Sequence, residues 1–247
     1  MTLLALTDVS KRLRDGAREL VVLDGISFDV QEGELLGIYG ERRAGKSTLI
    51  RIAAGLEATD GGSVEFDGVD VGRLSMGARA RLRRRGGIAL VSCGELGPLA
   101  GGQPVIEHVA LPLTNDGLTL GESEGLAHPV LEQIGVAALA HLRLDRLSLS
   151  DRVRVELACA LVREPRLLLV DEPAVLPGPS DSRELHALLR SLAKSGIAVV
   201  IASEDMAALA GVQRFMTLSD GRLRGTDSRR RVIPFPARAG GQRQGGP

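Results

Sequence analysis

The run Gly40-Glu41-Arg42-Arg43-Ala44-Gly45-Lys46-Ser47-Thr48 constrains this chain more than any other stretch. It fits G-x-x-x-x-G-K-[ST], the Walker A phosphate-binding loop. The flanks supply the required context: Leu35-Leu36-Gly37-Ile38-Tyr39 reads as a short buried strand, and residues 48–54 carry apolar side chains at helical spacing. A glycine-rich turn between a strand and a helix aims backbone N–H groups at one point, where the helix dipole also favours negative charge. Gly40, Arg43, Ala44, Gly45, Lys46, Ser47 and Thr48 are therefore the candidate phosphate-binding residues. Lys46 supplies a point charge for β- and γ-phosphates, and the Ser47 hydroxyl is placed to hold Mg²⁺. The reading is a nucleoside triphosphate site that also holds Mg²⁺.

A second signal lies downstream. Leu167-Leu168-Leu169-Val170-Asp171-Glu172-Pro173 is a hydrophobic strand ending in two acids, the Walker B arrangement. Parallel strands deliver ligand-binding residues at their carboxyl ends, so both motifs are expected to face one crevice. Asp171 would hold Mg²⁺, and Glu172 would orient or deprotonate the attacking water. Taken alone, an apolar run ending in Asp-Glu is a weak pattern; the upstream loop gives it meaning.

Strands alternate with helices along the chain, so the expected fold is α/β with a mostly parallel, helix-covered sheet. Short strands are expected at 3–9, 20–22 and 26–30, with a polar loop over 11–17, and they suggest an antiparallel β portion near the N-terminus. A basic segment over 79–85 carries five arginines and reads as a solvated helix face. Further strands are expected at 88–92, 166–171 and 197–202, with helices at 105–113, 130–139, 149–162 and 182–194. Residues 115–124 read as a polar surface loop, and Ser219-Asp220-Gly221 as the turn of a closing hairpin. One nucleotide-binding domain is expected over 1–225, with a helical subdomain at about 90–160, and 226–247 as a mobile basic tail.

Composition narrows the function classes. Thirty-one Lys plus Arg balance thirty-one Asp plus Glu, so no global field draws in nucleic acid. Cys93 and Cys159 lack metal-ligand spacing and fit a reducing compartment as small core residues. No apolar run reaches the roughly 18 residues of a membrane span, so a membrane role would come through a partner. The four histidines (108, 128, 141 and 186) are scattered, without the spacing of a ligand set.

With both phosphate-site motifs in place, the chain resembles the ATP-binding subunit of ABC transporters over about 3–224. Leu23-Asp24-Gly25-Ile26-Ser27-Phe28 is similar to the family's strand before Walker A. Ile106-Glu107-His108-Val109-Ala110-Leu111-Pro112-Leu113 is similar to its E-N-V-x-x-P-L helix. Leu147-Ser148, followed by Arg152-Val153-Arg154-Val155, stands where the L-S-G-G-Q signature belongs, and Ser219-Asp220-Gly221-Arg222-Leu223 resembles its closing hairpin. The flavour is similar to the lipoprotein-export and macrolide-export branch. The resemblance implies a P-loop NTPase of ABC type, a transmembrane permease as partner, and location at the cytoplasmic face of the cell membrane. It also implies head-to-tail pairing with a second ATP-binding subunit, in which Ser148 meets the partner's γ-phosphate.

The departures from the family pattern fall on catalytic accessories. No aromatic stands near Leu13 to stack on adenine. Ser92 or Cys93 replaces a Gln. The signature reads Leu147-Ser148-Leu149-Ser150-Asp151, without its glycines. Ala174-Val175-Leu176-Pro177-Gly178 lacks the loop Asp, Glu204 replaces a γ-phosphate His, and Arg43 stands at a usual Gly. Losing one preorganised donor typically costs about 10²–10³ in rate. The expectation is therefore a subunit that binds ATP but turns it over slowly or not at all, paired with a more complete one. An ordinary ATP-hydrolysing subunit is the competing reading.

Overall fold

The computed structural model describes residues 1–15, 18–85, 87–92, 102–173 and 179–226. Expectations at Cys93, at the loop 94–101, at 174–178 and over 227–247 lie outside them.

The core is a sheet in the order β10-β9-β3-β8-β7-β6, formed by β3 (Leu35–Tyr39), β6 (Ile88–Ser92), β7 (Leu167–Asp171), β8 (Ala198–Ser203), β9 (Arg214–Ser219) and β10 (Arg222–Thr226). All neighbours are parallel except the edge pair β9–β10. Its central strands are apolar throughout because both faces are covered. The alternation along each strand assigns the faces: Leu168, Val170, Val199 and Ile201 join one core with the helices, whereas Leu167, Leu169, Val200, Ala202, Leu36 and Ile38 join the other.

The second core is closed by an antiparallel sheet in the order β2-β1-β4-β5, comprising β1 (Thr2–Asp15), β2 (Arg18–Gln31), β4 (Gly61–Phe66) and β5 (Val69–Asp70). Between the sheets lies α1 (Lys46–Ala53), contributing Leu49, Ile50 and Ile52. The antiparallel portion was expected, but its segmentation differs. The strands expected at 20–22 and 26–30 are one strand, and β1 runs on through most of the expected loop. Register shifts in β1, with Asp8 at φ 51° and Gly25 at φ 66°, bend a continuous ribbon where the sequence suggests breaks.

The first core gathers α3 (Val105–Thr114), α4 (Leu120–Ile134), α5 (Leu149–Leu161) and α6 (Pro179–Lys194), while the arginine-rich α2 (Met76–Arg84) buries none of its residues. The polar stretch 115–124 is only partly a loop, because α4 begins at Leu120. Thr119 and Glu122 form a capping box there, and Gly135 (φ 78°) ends the helix. Beyond it the expected helix tightens to a 3-10 turn at Ala137–Leu139. Cys159 packs partly buried against this core, and burial pushes its thiol pKa well up, so it is inert.

The β9–β10 hairpin latches onto the N-terminal sheet. Asp24 N–H donates to Gly221 O at 2.8 Å, and Arg222 pairs with Asp24 at 2.8 Å. Between hairpin and phosphate loop sits the Val22 carbonyl: a Cβ would lie 2.9 Å from it at Gly45 and 3.0 Å at Gly221.

Candidate nucleotide site

Three adjacent parallel strands end at one edge. Tyr39 on β3 registers with Ser203 on β8, and Ala202 on β8 with Asp171 on β7. The segments that follow each strand therefore converge: the phosphate loop, Glu172 and Glu204. Backbone bonds tie them together, Gly40 N–H to Ser203 O (3.2 Å) and Glu172 N–H to Ala202 O (2.9 Å).

Left-handed backbone shapes the loop, with Arg43 at φ 65° and Gly45 at φ 99°. Gly45 has no room for a side chain, whereas Arg43 holds this conformation with a Cβ present, at a cost glycine avoids. Lys46, the first residue of α1, is 5% exposed. Its ammonium donates to Gly40 O (2.7 Å) and Glu41 O (3.0 Å) and pairs with Glu172 Oε1 at 2.9 Å. Those partners account for all three of its protons. Glu172 itself is a non-glycine residue at φ 49°, the kind of strained backbone that clusters at functional sites. Its other oxygen accepts from Glu204 N–H at 3.2 Å.

Beneath them lies Asp171, 7% exposed, with Oδ1 buried and unpaired. Burial raises its pKa, partly opposed by a hydrogen bond from the Ser47 hydroxyl, while the Glu172 charge raises it further. An orphaned carboxylate oxygen beside a serine hydroxyl is a hard, all-oxygen donor set, and it fits Mg²⁺.

A cleft of about 560 Å³ opens over this edge. Arg42, Arg43, Gly45, Lys46, Ser47, Thr48 and Glu172 line it, together with Glu204 and Asp205; Leu13, Leu20 and Val22 form an apolar wall. Gly40 and Ala44 are not on that lining. A Cβ at Gly40 would lie 2.9 Å from Leu218 O, so this glycine permits close packing behind the loop, and Ala44 faces a neighbouring hollow. The Thr48 hydroxyl accepts from Arg51 at 3.3 Å.

Ser148 is not brought to the cleft. It is the N-cap of α5: its hydroxyl accepts from Asp151 N–H at 3.1 Å and donates to Asp151 Oδ2 at 2.6 Å. The helix start thus already holds a carboxylate, and Leu149 beside it is 40% exposed.

Sequence reasoning missed Ser203, Leu20 and Val22 at the cleft. Ser203 ends an apolar strand without a motif of its own. Leu20 was readable as the partner of Leu13 only once the ribbon was known to be continuous, since the two residues pair across it. No group of three or more metal-ligating side chains of the His, Cys, Asp and Glu type occurs among the described residues, and none of their helices is long and apolar enough to cross a membrane.

Comparison with known proteins agrees with this geometry. A model of the ABC transporter family matches residues 23–175. The methionine import ATP-binding protein MetN of Rhizobium johnstonii is 38% identical over 220 residues, covering 88% of this chain but only 59% of that protein. The lipoprotein-releasing system ATP-binding protein LolD 2 of Caulobacter vibrioides is 34% identical over 221 residues, covering 89% of this chain and 96% of its own length. Among solved structures, the dimeric bacterial ABC transporter cassette MJ0796 superposes with a TM-score of 0.80 at 26% identity, over 90% of this chain and 96% of that one. The fold is that of a P-loop NTPase of ABC type, and the chain belongs to the ABC transporter family as its ATP-binding domain.

Proposed function

We propose that the chain is the ATP-binding subunit of an ABC transporter complex, coupling nucleotide binding to a transmembrane permease at the cytoplasmic face of the membrane, with little or no hydrolysis of its own. The observation that carries the low-turnover reading is the Lys46–Glu172 pair at 2.9 Å, with Glu204 against the same carboxylate. A general base must face a water; this one faces the lysine that binds phosphate.

Binding is supported by what is intact. The loop amides from Gly45 to Thr48, with Lys46, Arg42 and Arg43, offer donors and positive charge to a polyphosphate. Asp171 and Ser47 would hold Mg²⁺, which when bound shields phosphate charge. Transition-state donors are what is lacking: the third strand edge presents Glu204 where a cation or neutral donor would help.

Asp151 at the start of α5 argues against a homodimer. Its carboxylate and the Ser148 hydroxyl satisfy one another, leaving that helix end a poor cap for a partner's γ-phosphate. A second, more complete ATP-binding subunit is therefore the favoured partner. In this reading the ATP-binding domain is 1–225, extended by one residue because Thr226 ends β10, with a helical subdomain at about 90–160. The test is ATP binding and steady-state hydrolysis by the purified chain beside Lys46→Ala and Glu172→Gln. Binding is expected to disappear in Lys46→Ala, with wild-type turnover no higher than that of Glu172→Gln. Turnover of about 1 s⁻¹ or more, abolished by Glu172→Gln, would overturn the low-turnover reading.

A further inference from the structure

Positive and negative side chains are sorted along the cleft. Leu13, Leu20 and Val22 form its apolar wall, Arg42 and Arg43 rise from the phosphate loop, and Glu172, Glu204 and Asp205 close it at the ends of β7 and β8. Of these carboxylates, Asp205 is committed elsewhere, accepting from Ala207 N–H at 2.8 Å. Glu172 and Glu204 are adjacent, joined by the Glu204 N–H to Glu172 Oε2 bond at 3.2 Å, and Glu204 is exposed to the cleft. Among the described residues, the cation paired with them is Lys46, bonded to Glu172 at 2.9 Å.

Resting on the nucleotide reading above, we propose that this cleft is selective for nucleoside diphosphates over triphosphates, with Glu172 and Glu204 as the determinants. A base against the aliphatic wall leaves two phosphates over the loop amides, within reach of Arg42 and Arg43. A diphosphate draws on Lys46 through its β-phosphate and ends short of Glu204. A third phosphate extends toward Glu172 and Glu204. It must rest beside two carboxylates, whose like charge repels it. The subunit would in this way register the diphosphate, the product form of its ligand.

Isothermal titration of the purified full chain with ADP and with ATP, in EDTA and again in Mg²⁺, tests this against Glu204→Gln. Glu204 is exposed and supports no core packing, so the variant retains the fold. The wild-type chain is expected to bind ADP about tenfold or more tightly than ATP in EDTA, with the same order in Mg²⁺. Glu204→Gln should tighten ATP at least threefold and leave ADP unchanged. ATP bound as tightly as ADP, or a ratio indifferent to Glu204→Gln, removes the selectivity and leaves the nucleotide site standing. Failure to bind either nucleotide removes both.

Discussion

Arg43 is the residue at which the loop's backbone chemistry is most directly measurable. Its φ of 65° places an exposed, β-carbon-bearing residue in the left-handed region. Such a conformation costs an L-residue about 1–2 kcal/mol. Replacing it by glycine removes that cost but adds about 0.5–1 kcal/mol of unfolded-state entropy. The difference leaves Arg43→Gly about 0.5–1 kcal/mol more stable than Arg43→Ala. The alanine variant is the proper reference, since both lose the guanidinium and only one keeps the strain. For a domain of this size, 1 kcal/mol shifts Tm by about 2–4 °C, so Arg43→Gly should melt roughly 1–4 °C above Arg43→Ala in calorimetry. Both should weaken nucleotide binding to the same degree, because Arg43 lines the cleft in either case. A glycine variant melting at or below the alanine variant would refute the strain argument.

Two further perturbations follow from the same geometry. Asp171→Asn removes a buried carboxylate whose Oδ1 is unpaired, so in EDTA the variant should melt above the wild type while losing Mg²⁺-dependent nucleotide binding. The folded state raises the Asp171 pKa, so the penalty of its charge is fully present above the folded value and vanishes as pH falls. The stability gap between Asp171→Asn and wild type should therefore narrow on acidification, and a gap that widens would contradict the assignment. Ser148→Ala should cost about 1 kcal/mol by urea denaturation, as loss of an N-cap does, without changing nucleotide affinity at this chain's own cleft.

What the sequence reveals here is uneven for physical reasons. The phosphate loop and the acidic strand end are legible because each is fixed by local chemistry, and the register of β3, β8 and β7 then brings them together. The start of α4 was legible in principle, since Thr119-x-x-Glu122 is a capping box, but polar composition over 115–124 masks it. Continuity of β2 was not, because Asp24-Gly25 interrupts the apolar pattern between 20–22 and 26–30, although Gly25 there makes a bend within a strand. Least legible is the Lys46–Glu172 contact: both residues are named by their motifs, yet the motifs assign one to phosphate and the other to water. In the fold Glu172 stands at φ 49° and its carboxylate lies 2.9 Å from the lysine.

The wedge made by the Val22 carbonyl bears on the order in which the chain is made. Gly45 and Gly221 both close on that one oxygen, and Asp24 is bonded to Gly221 and Arg222. A ribosome delivers the phosphate loop long before it delivers the hairpin that braces the strand beside it. Until residue 222 has emerged, the loop lacks one of its walls, so nucleotide binding should arise late in synthesis, as the last event of domain assembly. Truncation just before that hairpin leaves the whole motif in place and the site unfinished.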